Sequence, residues 1–416
     1  MRQRIFSRLQ AVRAKQLEKP AANYSHCVWM QVLLTTSRAW YLHNTAKALS
    51  QRGALAGLWM GDKNITRLPP DEYARCWPFH LAMKPFYHLT SQIWSERATY
   101  FFLDLYAWWL RARLRSPRCP KFQVVQSIAG LCGELFDRAD EVGALKVVDC
   151  ANSHPTTLYG FWQRECDLWC PGENVPLPRR IFRRMNLELD RADLVLCPST
   201  FVRDTMVQNG IPAEKCFVNP FGVDTSIFKK REHPPDKPRF VCVGTICVRK
   251  GHQYLFRAFE RVQAALPGAE LVCVGDVKRD FRYEWPKWRG RIRHVERMVH
   301  SELAVLLQSA TAFVFPSLEE GFARVLAEAM GAGLPIIATH ESGASTLVQS
   351  GVQGILVPPR SIDTLANAMI QVTTDRDLNE RMGDAAYEVG AVRNTWQDYG
   401  DRLLAEYERR LARLKP

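Results

Sequence analysis

FVFPSLEEGFARVLAEAMGAGLPIIAT, residues 313–339, holds the fold in miniature. The run FVF reads as a buried strand, LEEG as the loop after its carboxyl end, FARVLAEAMGAG as a helix closed by glycines, and PIIAT as the next strand. A strand, a short helix and a second strand in that order call for a parallel sheet covered by helices. In such sheets ligands gather outside the carboxyl ends of the strands, where helix N-termini offer free N–H groups to anions. Glu320 would stand at that crevice, Gly321 would let the backbone approach a ligand, and the amides of Phe322 and Ala323 would point toward it. Glu328, eight residues on, need not meet the same ligand atom; on an extended ligand it can accept from a second hydroxyl-bearing group, ribose at Glu328 and another sugar at Glu320. The plainer reading makes both carboxylates helix-start charges favoured by the helix dipole.

The pattern repeats on both sides of this stretch. VWMQVLL, ALAGLWM, FQVVQSI, LKVVDC and LVLCPS alternate with amphipathic stretches up to about residue 199, and RFVCVGT, AELVCVGD, TAFVFPS, PIIATH and GILVPP do the same after residue 219. Two consecutive α/β units follow, and 416 residues suffice for two cores. The turn-rich segment 219–240, with NPFGVD and EHPPDKP, has the composition of a connection between domains. The expected organisation is a basic amphipathic segment 1–27, a first domain 28–218, a second domain 219–390, and a terminal helix 391–416. In that helix Trp396, Tyr399, Leu403, Leu404 and Tyr407 share a face that needs another surface, the first domain.

A second constellation bears on the crevice. GTICVRKG, 244–251, follows the first strand of the second unit and opens a helix, bringing Gly244, Arg249 and Lys250 to the same strand ends as Glu320. Lys and Arg neutralise a diphosphate, Arg with a two-pronged fork. One cationic and one anionic site after two strands of one sheet fit a nucleoside diphosphate sugar; taken singly, the pair is also what a solvated turn carries.

The order VNPFGVDTSIF, VGTICVRKG, VCVGD, FVFPSLEEGFARVLAEAMGAGLPIIAT, SGAS and GILVPP, within 190–372, resembles the retaining glycosyltransferases of family 4, also called group 1. The resemblance implies the GT-B fold, two Rossmann-like domains facing across a cleft, and a transfer of sugar from a nucleoside diphosphate sugar to a glycan or lipid-linked acceptor in polysaccharide or glycolipid synthesis. It assigns Glu320 and Glu328 to the donor site, Lys250 to the phosphates, and His154, in VVDCANSHP, to the donor sugar. Backbone near Met298 and Val299 would meet the base. Two positions depart from the pattern: Thr245 stands where an Arg is usual, leaving Arg249 to supply the charge, and Ala323 replaces a common glycine. The family's glycine-rich acceptor loop is also missing; Thr36, Ser37 and Arg38 occupy its place and could touch an acceptor, Ser37 alternatively capping a helix. The implied chemistry is attack by the acceptor hydroxyl on the face the phosphate leaves, with Lys250, Arg249 and helix N–H groups steadying the leaving oxygen and no metal or cofactor needed. A binding protein without turnover and a sugar-nucleotide epimerase are the alternatives.

Composition sets the surroundings. The twelve cysteines include no CxxC pair and read as small hydrophobes in a reducing cytosol, and no apolar run reaches the length of a membrane span. The net charge of +13 is uneven, with arginines around Ile5, Leu9 and Val12 and trailing the aromatics of YFFLDLYAWWLRARLR, 100–115. Such patches suit the inner face of an anionic membrane, the alternative being a domain core with a solvated edge. Aromatics are not interleaved with Lys/Arg as nucleic-acid grooves require, so no nucleic-acid partner is expected.

Overall fold

The computed structural model describes residues 30–37, 41–61, 63–65, 67–76, 96–172, 179–224, 227–392 and 394–414. The basic segment 1–27 and Arg38 lie outside the described residues.

The first sheet contains β1 (Val32–Thr36), β2 (Leu55–Met60), β3 (Tyr73–Arg75), β4 (Val124–Ile128), β5 (Leu145–Asp149), β6 (Leu194–Cys197) and β7 (Cys216–Val218). Every pairing in it is parallel, in the order β3-β2-β1-β4-β5-β6-β7. Helices α1 (Leu42–Ser50), α2 (Glu96–Leu114), α3 (Gly133–Val142), α4 (Pro155–Trp169), α5 (Arg179–Arg191) and α6 (Thr200–Gln208) accompany it. The second sheet contains β8 (Arg239–Val243), β9 (Glu270–Val274), β10 (Arg293–Val295), β11 (Ala312–Phe315), β12 (Ile336–Thr339) and β13 (Gly354–Val357). It too is parallel, in the order β10-β9-β8-β11-β12-β13. Around it lie α7 (His252–Ala265), α8 (His300–Gln308), α9 (Arg324–Gly331), α10 (Ile362–Thr374) and α11 (Arg376–Tyr387). The buried runs Val32–Leu34 and Ala312–Phe315 show why the strands read as unbroken apolar stretches: helices cover both sheet faces. Each sheet reverses its strand order once, between β1 and β4 and between β8 and β11, and these switch points are where crevices open.

The last helix, α12 (Trp396–Leu414), lies on the first domain. It buries Tyr399, Leu403, Leu404, Tyr407 and Leu411, each contributing about 1.5–3 kcal/mol. Asp401 pairs with Arg52 at the end of α1, and the Tyr407 hydroxyl donates 2.7 Å to the Gln126 side chain on β4. Where α12 begins, its chain runs beside the connecting segment: Val223 bridges to Thr395, and Phe221 stacks on Trp396 with centroids 6.1 Å apart. Both crossings between domains therefore share one seam. The aromatic run 100–115 divides along the helix, with Phe102, Tyr106, Leu110 and Leu114 buried while Phe101 and Trp108 are exposed on α2.

Candidate active site

The turn after β8 sets the cations. Val248–Lys250 forms one 3-10 turn that leaves Arg249 and Lys250 facing the loop after β11. Gly251 follows at φ +72°, and a Cβ there would fall on the Pro316 carbonyl oxygen, so the glycine of RKG is what lets the two loops touch.

Four charged groups meet in that contact. Lys250 Nζ pairs with Glu320 Oε2; Arg249 Nη1 donates 3.1 Å to the same oxygen, 2.9 Å to Glu319 Oε2 and 2.6 Å to the Glu319 carbonyl. Burial pushes the Glu320 carboxyl up, but Lys250 and Arg249 outweigh it and hold the group below its ordinary value. Glu328, one helix turn into α9, is different. Burial pushes its carboxyl up, and the His300 side chain, 3.8 Å away, and Arg324 only partly offset that. Its carboxylate is thus half-buried without a close partner of the kind Glu320 has.

These groups line one cleft of about 540 Å³. Of the residues read from sequence, Gly244, Arg249, Lys250, Glu320, Phe322, Ala323 and Glu328 are on its wall. Thr245 is not, and neither are Met298 and Val299. Val299 precedes α8 with its side chain 61% exposed, so that the first turn of the helix, His300 and Leu303, faces the cleft instead.

The opposite wall comes from the first domain, where Ala151 and Asn152 follow β5. Gly321 meets this wall directly. A Cβ on it would clash with the Ala151 carbonyl oxygen, so its missing side chain makes room for the facing domain, where the sequence reading had reserved that room for a ligand. Beside it, Glu319 is fully buried and accepts from the Ser153 backbone N–H at 3.0 Å while holding Arg249, tying the cationic turn to the first domain. Sequence reasoning passed over Glu319. The doubled acid before Gly321 was the available signal, since a single carboxylate was assigned to the ligand and the second was left without a role.

The other first-domain residues are placed as follows. His154 is 5% exposed and caps α4, its ring Nδ1 accepting from the Thr156 N–H at 3.3 Å while its backbone N–H donates to Thr205 Oγ1 at 3.0 Å. Burial lowers its pKa, favouring a neutral ring, and it does not line the cleft. Thr36 is buried at the end of β1, and Ser37 faces a separate cavity. Ser37 does not cap the following helix: α1 begins at Leu42 behind Tyr41, with no side-chain cap.

A further contact joins the domains through α4. Glu165, 1% exposed, accepts from Arg360 Nε at 2.7 Å and from Gln253 Nε2 and the Tyr254 hydroxyl at 3.2 Å each. Trp169 Nε1 donates to the same Tyr254 hydroxyl at 3.1 Å. Arg360 takes a left-handed φ of +66°, a strain of about 1–2 kcal/mol that this contact offsets.

Two facing parallel-sheet domains, a terminal helix crossing back, and a charged cleft between them define a GT-B glycosyltransferase fold. Residues 223–389, in the second domain, match the glycosyl transferases group 1. The chain is 28% identical over 250 residues to a GDP-mannose-dependent alpha-(1-6)-phosphatidylinositol monomannoside mannosyltransferase of Mycobacterium tuberculosis, a match spanning 55% of this chain and 64% of that protein. In shape it is similar to sucrose-phosphate synthase from Thermosynechococcus elongatus, with a TM-score of 0.69 at 18% identity, covering 92% of this chain and 99% of that one. It is also similar to Anabaena HepE in complex with UDP-glucose, with a TM-score of 0.64 at 15% identity, covering 91% and 100%.

Proposed function

We propose that the chain moves a sugar from a nucleoside diphosphate sugar to a glycan or lipid-linked acceptor, with retention of anomeric configuration and without a metal. The observation that carries this is the convergence of Lys250, Arg249, Glu320 and Glu328 on one cleft between two Rossmann-like domains. A donor entering it replaces the Lys250–Glu320 pair: Lys250 and Arg249 turn to the diphosphate, and Glu320 to the hydroxyls of the transferred sugar. Glu328 accepts from the ribose. As the anomeric bond breaks, the cations and the N-terminus of α9 steady the leaving oxygen, and the acceptor hydroxyl attacks on the same face while the departing phosphate takes its proton. Asn152 and Ala151 form the wall against the sugar, and His154, buried behind them, fixes the turn that carries them. Glu319 and Gly321 hold the domains close enough to exclude water.

The named relative, a mannosyltransferase of a phosphatidylinositol mannoside, supports a lipid-linked acceptor. Exposed Phe101 and Trp108 on α2, next to the exposed Arg111, Arg113 and Arg115, support contact with the inner face of an anionic membrane from the cytoplasm. Among the described residues no helix is long and apolar enough to cross a membrane.

Incubation with UDP-, GDP- and dTDP-sugars and membrane glycolipid extracts, in EDTA, tests the proposal. NMR of the product should give the same anomeric configuration as the donor; an inverted product, or activity only on adding a divalent cation, contradicts it. Isomerisation of the donor with no acceptor present would favour the epimerase.

A further inference from the structure

The first domain has its own cavity, distinct from the charged cleft, of about 200 Å³. It sits at the switch point of the first sheet, bounded by Ser37 after β1, Ile128–Leu131 after β4 and Cys150–Ser153 after β5. Ile181, Met185 and Leu189 of α5 close it from one side and Met206 of α6 from another. Its walls are mostly aliphatic and sulfur-bearing side chains with no charged residue among them, whereas Arg249, Lys250, Glu320 and Glu328 line the neighbouring cleft.

Three features mark it as built to be filled. Its rim is rigid: the buried Glu188 carboxylate accepts from the N–H groups of Gly130, Cys132 and Gly133 at 2.6, 2.8 and 2.9 Å, fixing the loop after β4. It holds an unused polar atom, for Ser153 is 1% exposed and its hydroxyl has no hydrogen-bond partner among the described residues. It also shares Ala151 and Asn152 with the charged cleft, so a molecule seated here meets the sugar donor across two residues.

We infer that this cavity is the acceptor subsite and that it takes a compact apolar group, alkyl or aryl, attached close to the hydroxyl that receives the sugar. The inference rests on the transferase reading and narrows it: the acceptor is amphiphilic, its apolar part against Ile181, Met185 and Leu131 and a polar atom of it within reach of Ser153. The volume exceeds the roughly 150 Å³ of an apolar cavity that admits benzene. Each methylene buried there is worth about fourfold in affinity. A glycan with hydroxyls on every face would strand them on apolar walls.

Saturation-transfer NMR on the full chain, with methyl, n-hexyl and phenyl β-D-glucopyranoside as probes, tests this. Transfer should be strongest to the hexyl or phenyl protons and absent for the methyl glucoside, and whichever apolar probe binds tighter identifies the group. Met185→Trp and Ile181→Trp, which fill the cavity, should each reduce that binding at least about tenfold, while UDP or GDP still raises the melting temperature of both variants. Equal transfer to all three probes, no transfer to either apolar one, or binding that survives both variants overturns the inference. Failure of the transferase reading would instead appear as the absence of any nucleotide stabilisation in the parent chain, with the glucoside result unaffected.

Discussion

The two walls of the cleft are made of different material. The second domain contributes charged side chains: Lys250, Arg249, Glu320 and Glu328 all come from junctions after β8 and β11. The first domain contributes mostly backbone and apolar surface, the 151–153 turn and the cavity behind it. One wall can hold a charged group by electrostatics, and the other can select only by shape. A cleft divided this way lets donor chemistry stay constant while the partner molecule is set by the other domain.

Removing charge from the first wall should have the largest effect. Lys250→Ala leaves Glu320 with Arg249 alone and strips the leaving group of a cation, so kcat should fall on the order of 10²–10³-fold, measured under donor saturation. Gly321→Ala attacks the junction between the walls. Its Cβ would overlap the Ala151 carbonyl and force the domains apart, and a displacement of about an ångström costs on the order of a hundredfold in kcat/KM. An unchanged rate in that variant would mean the walls need not close so tightly.

Glu165 sharpens the comparison from outside the cleft, because it joins the domains without touching the charged site. Glu165→Ala leaves the Arg360 guanidinium largely buried and should cost about 3 kcal/mol in denaturant unfolding, while Glu165→Ala with Arg360→Ala should recover part of the loss. His154→Ala removes a helix cap and should cost about 1 kcal/mol, with KM for the donor moving less than kcat because the ring holds the turn and does not reach the cleft.

The smallest effect is one of pH. Glu320 is held below its ordinary value, so its ion pairs are complete above the ordinary carboxylate range and are lost only as pH falls through the lower folded value. Glu328 is pushed up, so on acidification it protonates first and gives up its acceptor role. Donor affinity should therefore weaken in mildly acid solution before the Lys250–Glu320 pair opens, and Glu328→Gln should remove that first step.

The same division governs what the sequence could reveal. Glu320, Glu328, Arg249 and Lys250 could be brought together from the sequence because they follow two strand ends of one parallel sheet, and the alternating apolar runs marked both sheets. Glu319 was not, since its partners Ser153 and Arg249 are distant in sequence and only the closed pair of domains brings them together. Gly321 was recognised as special but for the wrong neighbour, the facing Ala151 being invisible from a single chain segment. His154 looked like a site residue because it follows a strand end, yet the Pro155 that starts α4 turns its ring into a capping position. The apolar cavity had no signature at all: Ile128, Met185 and Met206 read as ordinary core until three separate elements enclose a space.

The central claim is that one cleft uses cations for a diphosphate and carboxylates for sugar hydroxyls. Calorimetric titration of UDP and GDP, each with and without an attached hexose, into the parent, Lys250→Ala and Glu328→Ala chains measures it most directly. At least one nucleotide should bind the parent and lose about tenfold or more in each variant, with the attached sugar adding affinity only where Glu320 is free to receive it. Equal binding by all three chains, or none by the parent, would contradict the account.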